Sequence, residues 1–103
     1  MDKRYSQMTV EELRAEVAEL KVKAQKAEQM GMINEFAVHE RKMLMAQAYM
    51  MDPKDFKSGE TYEIIGSTDH FTITYMNGVF AWGNRNRSKE EEALPISVLG
   101  NKN

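Results

Sequence analysis

The sequence has 103 residues, 42% hydrophobic and 29% charged, which suits one small domain, or one domain with an attached helical element, with a buried core, and excludes a multidomain enzyme and a compositionally disordered chain. Fourteen Lys and Arg against sixteen Asp and Glu leave a net charge of −2, so any nucleic-acid binding has to be local rather than a property of the whole surface. The absence of cysteine excludes disulfides and thiolate chemistry; with no signal-peptide pattern and no apolar run near about 18 residues, the expected location is the cytoplasm, away from membrane.

Residues 1–57 hold one glycine and one proline, Gly31 and Pro53. From Thr9 the apolar positions Val10, Leu13, Val17, Leu20, Ala24 and Ala27 advance by alternating steps of three and four, the seam of an amphipathic helix. Thr9 followed by Glu12 is a capping box that marks its start, and Met30-Gly31 marks its end. A second helix is predicted over Met32 to Met51, stopped by Asp52-Pro53, with Ile33, Phe36, Ala37, Met43, Leu44, Ala48 and Met51 on one face. The short connection predicts an antiparallel hairpin. Val38, Met45 and Tyr49 fall on a second stripe of the same helix, more apolar surface than one seam consumes.

From Gly59 the period becomes two. Tyr62 and Ile64 alternate with polar neighbours, as do Phe71, Ile73 and Tyr75, and Asn77-Gly78 between two such runs is a hairpin signal centred on those two residues. Pairing Met76 with Val79 places Phe71, Ile73, Tyr75, Phe80 and Trp82 on one core face. Leu94 to Leu99 supplies a further short strand entered through Pro95. Four or five short strands in so few residues suggest a small SH3-like barrel or curled meander, too small to be comfortable alone and so expected to pack against the hairpin or a second copy.

Chemistry-bearing patterns are sparse. His39 and His70 are the only histidines, one in each half, and His39 one turn after Glu35 makes at most a two-ligand edge, so no metal is expected. Ser67, Asp69 and His70 crowd into one turn and cannot surround a scissile bond as a triad does. Glu90, Glu91 and Glu92 read as a solvated loop, with a contact for a basic partner or a backstop for the neighbouring Arg85 and Arg87 as the alternatives. The six glycines lack the spacing of a phosphate loop, so neither catalysis nor a cofactor is expected.

Two interaction features remain. Arg85, Arg87 and Lys89 follow Trp82 directly, and cations beside an exposed ring would suit phosphates and a stacked base. The methionine-rich helix surface, with Met30, Met32, Met43, Met45, Met50 and Met51, suits adaptable protein contacts, and its stripe Val38, Met45, Tyr49 is the candidate interface for a protein partner or a homodimer.

Lys3-Arg4-Tyr5-Ser6, Lys26-Ala27-Glu28-Gln29-Met30-Gly31-Met32, Phe56 with Gly59-Glu60 and Tyr62, the run Tyr75-Met76-Asn77-Gly78-Val79-Phe80-Ala81-Trp82-Gly83, and Glu91-Glu92-Ala93-Leu94-Pro95-Ile96-Ser97 occur here in order. Together they resemble the YfhH-like family of small uncharacterised proteins from Bacillus and its relatives, over nearly the whole chain. The resemblance implies a helical hairpin leading into an SH3-like barrel in a cytoplasmic bacterial protein, and supplies no established site.

The expected architecture is therefore α+β, an N-terminal antiparallel helical hairpin over residues 1–57 and a small SH3-like β-barrel over 58–103, forming one cooperative unit. The expected function is that of a non-enzymatic interaction module, regulatory in role, binding protein through barrel and helix surfaces. The alternative is a nucleic-acid-binding transcriptional regulator using the Arg85, Arg87, Lys89 loop.

Overall fold

The computed structural model describes residues 3–103, and the chain divides between Met50 and Met51 into two compact units. In the first, a 3-10 turn at Tyr5–Gln7 precedes two helices, α1 at Val10–Gln29 and α2 at Ile33–Ala48, which pack on each other across a three-residue connection. The capping box forms as the sequence predicts: Thr9 Oγ1 accepts the Glu12 N–H at 3.1 Å, and Glu12 Oε1 accepts the Thr9 N–H at 3.0 Å. At the other end Gly31, at φ +70°, lets its own N–H reach the Glu28 carbonyl and the Met32 N–H reach that of Ala27, so a Schellman turn closes α1.

Of the expected seam on α1, Leu13, Leu20, Ala24 and Ala27 are buried, whereas Val10 is exposed. On α2 the buried residues are Ala46 and Ala48; Phe36, Met43 and Leu44 are half-buried, and Ile33 and Ala37 are exposed. The helix also ends three residues earlier than the sequence predicts. Asp52, ahead of Pro53, is extended at φ −94°, ψ 115°, the region that the clash with the proline ring favours for the residue before it, and the chain leaves the helix at Tyr49 to reach it.

The second unit is a five-stranded antiparallel sheet: β1 Thr61–Ile64, β2 His70–Asn77, β3 Phe80–Arg85, β4 Glu91–Pro95 and β5 Leu99–Lys102, in spatial order β4-β3-β2-β1-β5. The edge strands β4 and β5 are joined by one 3-10 turn, Ile96–Val98. Five strands laid flat would hold those edges about 19 Å apart, whereas a three-residue 3-10 turn advances about 6 Å, so the sheet has to curl strongly. No ladder pairs β4 with β5 among the described residues, and the sheet is open. Tyr62, Ile64, Phe71, Ile73, Val79, Ala81, Ile96 and Leu99 fill its concave side.

Two sequence expectations fail here. The strand predicted over Leu94 to Leu99 is divided: Leu94 and Pro95 finish β4, Ile96–Val98 turns, and Leu99 begins β5. Pro95 is tolerated because β4 is an edge strand, where a missing N–H breaks no ladder. The β2–β3 hairpin turns on Gly78-Val79, not on Asn77-Gly78, with Asn77 opposite Phe80. Only Gly78 takes a positive φ, +59°, which matches a turn with glycine at the first central position.

The larger correction is a β-bulge. Tyr75 lies opposite Trp82, but Ile73 lies opposite Gly83, so Thr74 is the extra residue on β2. Its hydroxyl donates to the Trp82 carbonyl at 2.9 Å. The extra residue inverts the alternation, and the face expected to hold five core side chains is split between both sides of the sheet. Phe71 and Ile73 stay in the core, whereas Tyr75 is 44% exposed and pairs on the outer side with a half-buried Trp82 and Phe80. Gly83 is required at this place, since a Cβ there would run into the Thr72 backbone carbonyl. Gly83→Ala is expected to destabilise the protein by about 1–3 kcal/mol and to lower its urea midpoint; an unchanged midpoint would contradict the close approach.

Candidate functional site

The cations that follow Trp82 do not form a set. Arg85 ends β3 and is clamped: its Nε and Nη2 donate to the two carboxylate oxygens of Glu92 at 3.2 and 3.0 Å, and its Nη1 donates to Asp69 Oδ2 at 3.0 Å. Guanidinium and carboxylate meet here in the two-pronged fork geometry, and Glu92 first and Asp69 second raise the Arg85 pKa further. Arg85 is therefore a strut between the β1–β2 loop and β4 rather than a free phosphate ligand. Arg87 and Lys89 are exposed on the β3–β4 loop, with no acidic partner among the described residues.

The loop itself is shaped by Asn86, whose backbone takes φ +54°. Its side-chain amide donates to Asp69 Oδ1 at 3.0 Å and accepts the His70 N–H at 2.9 Å. Asparagine tolerates that left-handed conformation better than most residues do. Asp69, one of the residues weighed for a triad, is thus engaged by Asn86 and Arg85, and its own N–H donates to Ser67 Oγ at 3.0 Å.

Glu91 and Glu92 belong to β4 rather than to a solvated loop, Glu92 backing Arg85 as the alternative reading has it, and strand alternation sends the two to different partners. Glu92 meets Arg85. Glu91, opposite Asn84, brings its Oε2 to 3.4 Å from Thr74 Oγ1 and has no cationic partner among the described residues. A threonine has a single O–H to give, and the Trp82 carbonyl, at 2.9 Å, receives it.

On the same side of the sheet Tyr75 and Trp82 stack, ring centroids 5.7 Å apart and planes 6° from parallel. The ladder between β1 and β2 ends at Thr61 and Thr72, so no strand flanks Tyr75 on its far side, and on β4 the residue opposite Trp82 is only Ala93. Trp82 is consequently at an accessible face, as one reading of the sequence required, but beside Glu91 rather than beside Arg85. Tyr75, assigned to the core by alternation, was missed. The glycine at 83 inside a strand is the one sequence signal that could have revealed the bulge.

The helical stripe is brought together only in part. Val38 is 44% exposed and lines a shallow concavity with Asn34, Glu35 and His39, whereas Met45 is half-buried. Tyr49 lies just beyond α2, edge-on to the ring of Tyr5 at 6.5 Å. Burial, then the neighbouring Glu16 carboxylate, push the Tyr5 phenol up to about 12. Of the apolar residues near the hairpin tip, Ile33 is 79% and Met30 63% exposed. Among the described residues no helix is long and apolar enough to cross a membrane.

The hydrogen bonds from Asn86 and then Arg85 hold the Asp69 carboxyl below its ordinary range. A depressed folded pKa contributes stability that is present above the unfolded value, near about 4, and is lost as pH falls through the folded one. Asp69→Asn is accordingly expected to be less stable than the unaltered chain at neutral pH and to converge with it in acid, as followed by denaturant midpoints from pH 7 to pH 2. Parallel pH profiles would show that Asp69 carries no such linkage.

The chain is 60% identical, over 103 residues and 99% of each sequence, to the uncharacterised protein YfhH of Bacillus subtilis strain 168. The model of the family described as protein of unknown function (DUF1811) matches residues 3–100, and with the ordered motifs already quoted from both halves it places the chain in that family.

Proposed function

We propose that the protein is a non-enzymatic interaction module, regulatory in role, that binds another protein through the outer face of its sheet and through the apolar surface of α2. The order β4-β3-β2-β1-β5, with a 3-10 turn ahead of the last strand, supports reading the second unit as an SH3-like barrel, a fold used in many unrelated binding tasks. The observation that carries the functional reading is the stack of the exposed Tyr75 on the half-buried Trp82, since paired aromatics on a sheet face supply large, rigid contact area of the kind found at protein interfaces. The exposed Val38 and the half-buried Met45 add a second surface on the helices.

A photo-reactive benzoylphenylalanine placed at Tyr75 in living cells tests this. A discrete protein adduct, resistant to nuclease and absent when the probe is moved to the exposed Val22, is the expected result. Adducts that nuclease removes, or none at all, would overturn the reading.

The exposure of Arg87 and Lys89 favours one second reading, a nucleic-acid-binding transcriptional regulator. That reading predicts salt-sensitive affinity for labelled duplex DNA or single-stranded RNA, reduced at least about tenfold by the pair Arg87→Glu and Lys89→Glu. Equal anisotropy titrations for both proteins would remove the loop as a contact.

A further inference from the structure

The outer face of the sheet carries a cation-recognising constellation, and this inference rests on the protein-binding reading while naming the chemistry of the partner. We infer that Tyr75, Trp82 and Glu91 receive an arginine or lysine side chain from an extended basic segment of a partner protein. Three observations converge. Tyr75 and Trp82 are stacked and 5.7 Å apart, and Tyr75 remains 44% exposed, so the pair is reached from solvent through Tyr75. A flat guanidinium can extend such a stack, and an ammonium is attracted to the same ring face.

The second observation is the carboxylate. Glu91 reaches across β3 toward the bulge at Thr74, the residue next to Tyr75, and has no cationic partner among the described residues. The hydroxyl it approaches is donating elsewhere, to the Trp82 carbonyl at 2.9 Å. The third is the engagement of Arg85, whose guanidinium makes two hydrogen bonds to Glu92 and one to Asp69 and none to Glu91. Aromatic faces beside an unpaired acid fit a positively charged side chain. The same acid repels a phosphate backbone, so charge complementarity selects a basic polypeptide segment over a nucleic acid.

Trp82 is the only tryptophan in the chain, so its fluorescence reports on this site alone. The full-length protein is titrated with an acetylated, amidated hexa-arginine peptide and with its isosteric citrulline counterpart, at low and near-physiological salt. A saturable change in Trp82 emission with the arginine peptide and none with citrulline is expected. Glu91→Gln and Tyr75→Ala should each weaken binding roughly threefold to fivefold, Tyr75→Phe should retain it, and Glu90→Gln, which removes the adjacent exposed acid, should leave it within about twofold. Loss of the arginine preference, or equal weakening by Glu90→Gln and Glu91→Gln, overturns the proposal in favour of general electrostatic attraction. A Tyr75 protein adduct combined with a Trp82 signal indifferent to both peptides overturns the cationic partner alone, whereas failure of the cross-link itself counts against the interaction reading.

Discussion

Thr74 stands opposite nothing on β3, and much of the character of the sheet follows from that one extra residue. A strand alternates its side chains between two faces, so a single insertion exchanges the faces of everything beyond it. Phe71 and Ile73 lie before the bulge and enter the core; Tyr75 lies after it and faces outward to meet Trp82. The insertion is held by the Thr74 hydroxyl on the Trp82 carbonyl and by the absence of a side chain at Gly83, where the strands come too close for a Cβ. Without the bulge the aromatic pair would compete for core volume with Phe71 and Ile73.

A second constraint organises the charged end of the sheet. Arg85 joins Asp69 of the β1–β2 loop to Glu92 of β4, and Asn86 adds two hydrogen bonds from the same turn to Asp69 and the His70 N–H. The groups are partly solvated, and surface ion pairs of this kind individually contribute little; here the bidentate geometry and the shared partners set the loop's shape more than its stability. The consequence for charge is direct. Of a cluster that reads in sequence as three cations followed by three acids, Arg85 and Glu92 become a paired strut, while Arg87 and Lys89 are exposed and Glu91 has no cationic partner among the described residues.

Local signals were legible because they depend on neighbours a few residues away. The capping box at Thr9, the glycine turn at Gly31 and the arrest ahead of Pro53 are settled by backbone sterics and short-range hydrogen bonds, and each is present, whereas the period of two holds in β1 and breaks at the bulge in β2. The motifs that place the chain in its family are likewise ordered words of sequence, readable without coordinates.

What only the tertiary structure decided is how the strands align and which side chains face outward. Residue pairing across a hairpin depends on which turn closes it, and a bulge leaves the amino-acid pattern unchanged while reversing its meaning. So Tyr75 read as core, Arg85 as a candidate nucleic-acid contact, and Glu91 as loop. The partners that corrected them, Trp82, Asp69 and Thr74, lie 7, 16 and 17 positions away along the chain. Contacts at such separations are set by the folded sheet, whereas the residue types able to make them, a ring, a guanidinium and a carboxylate, were already written in the sequence.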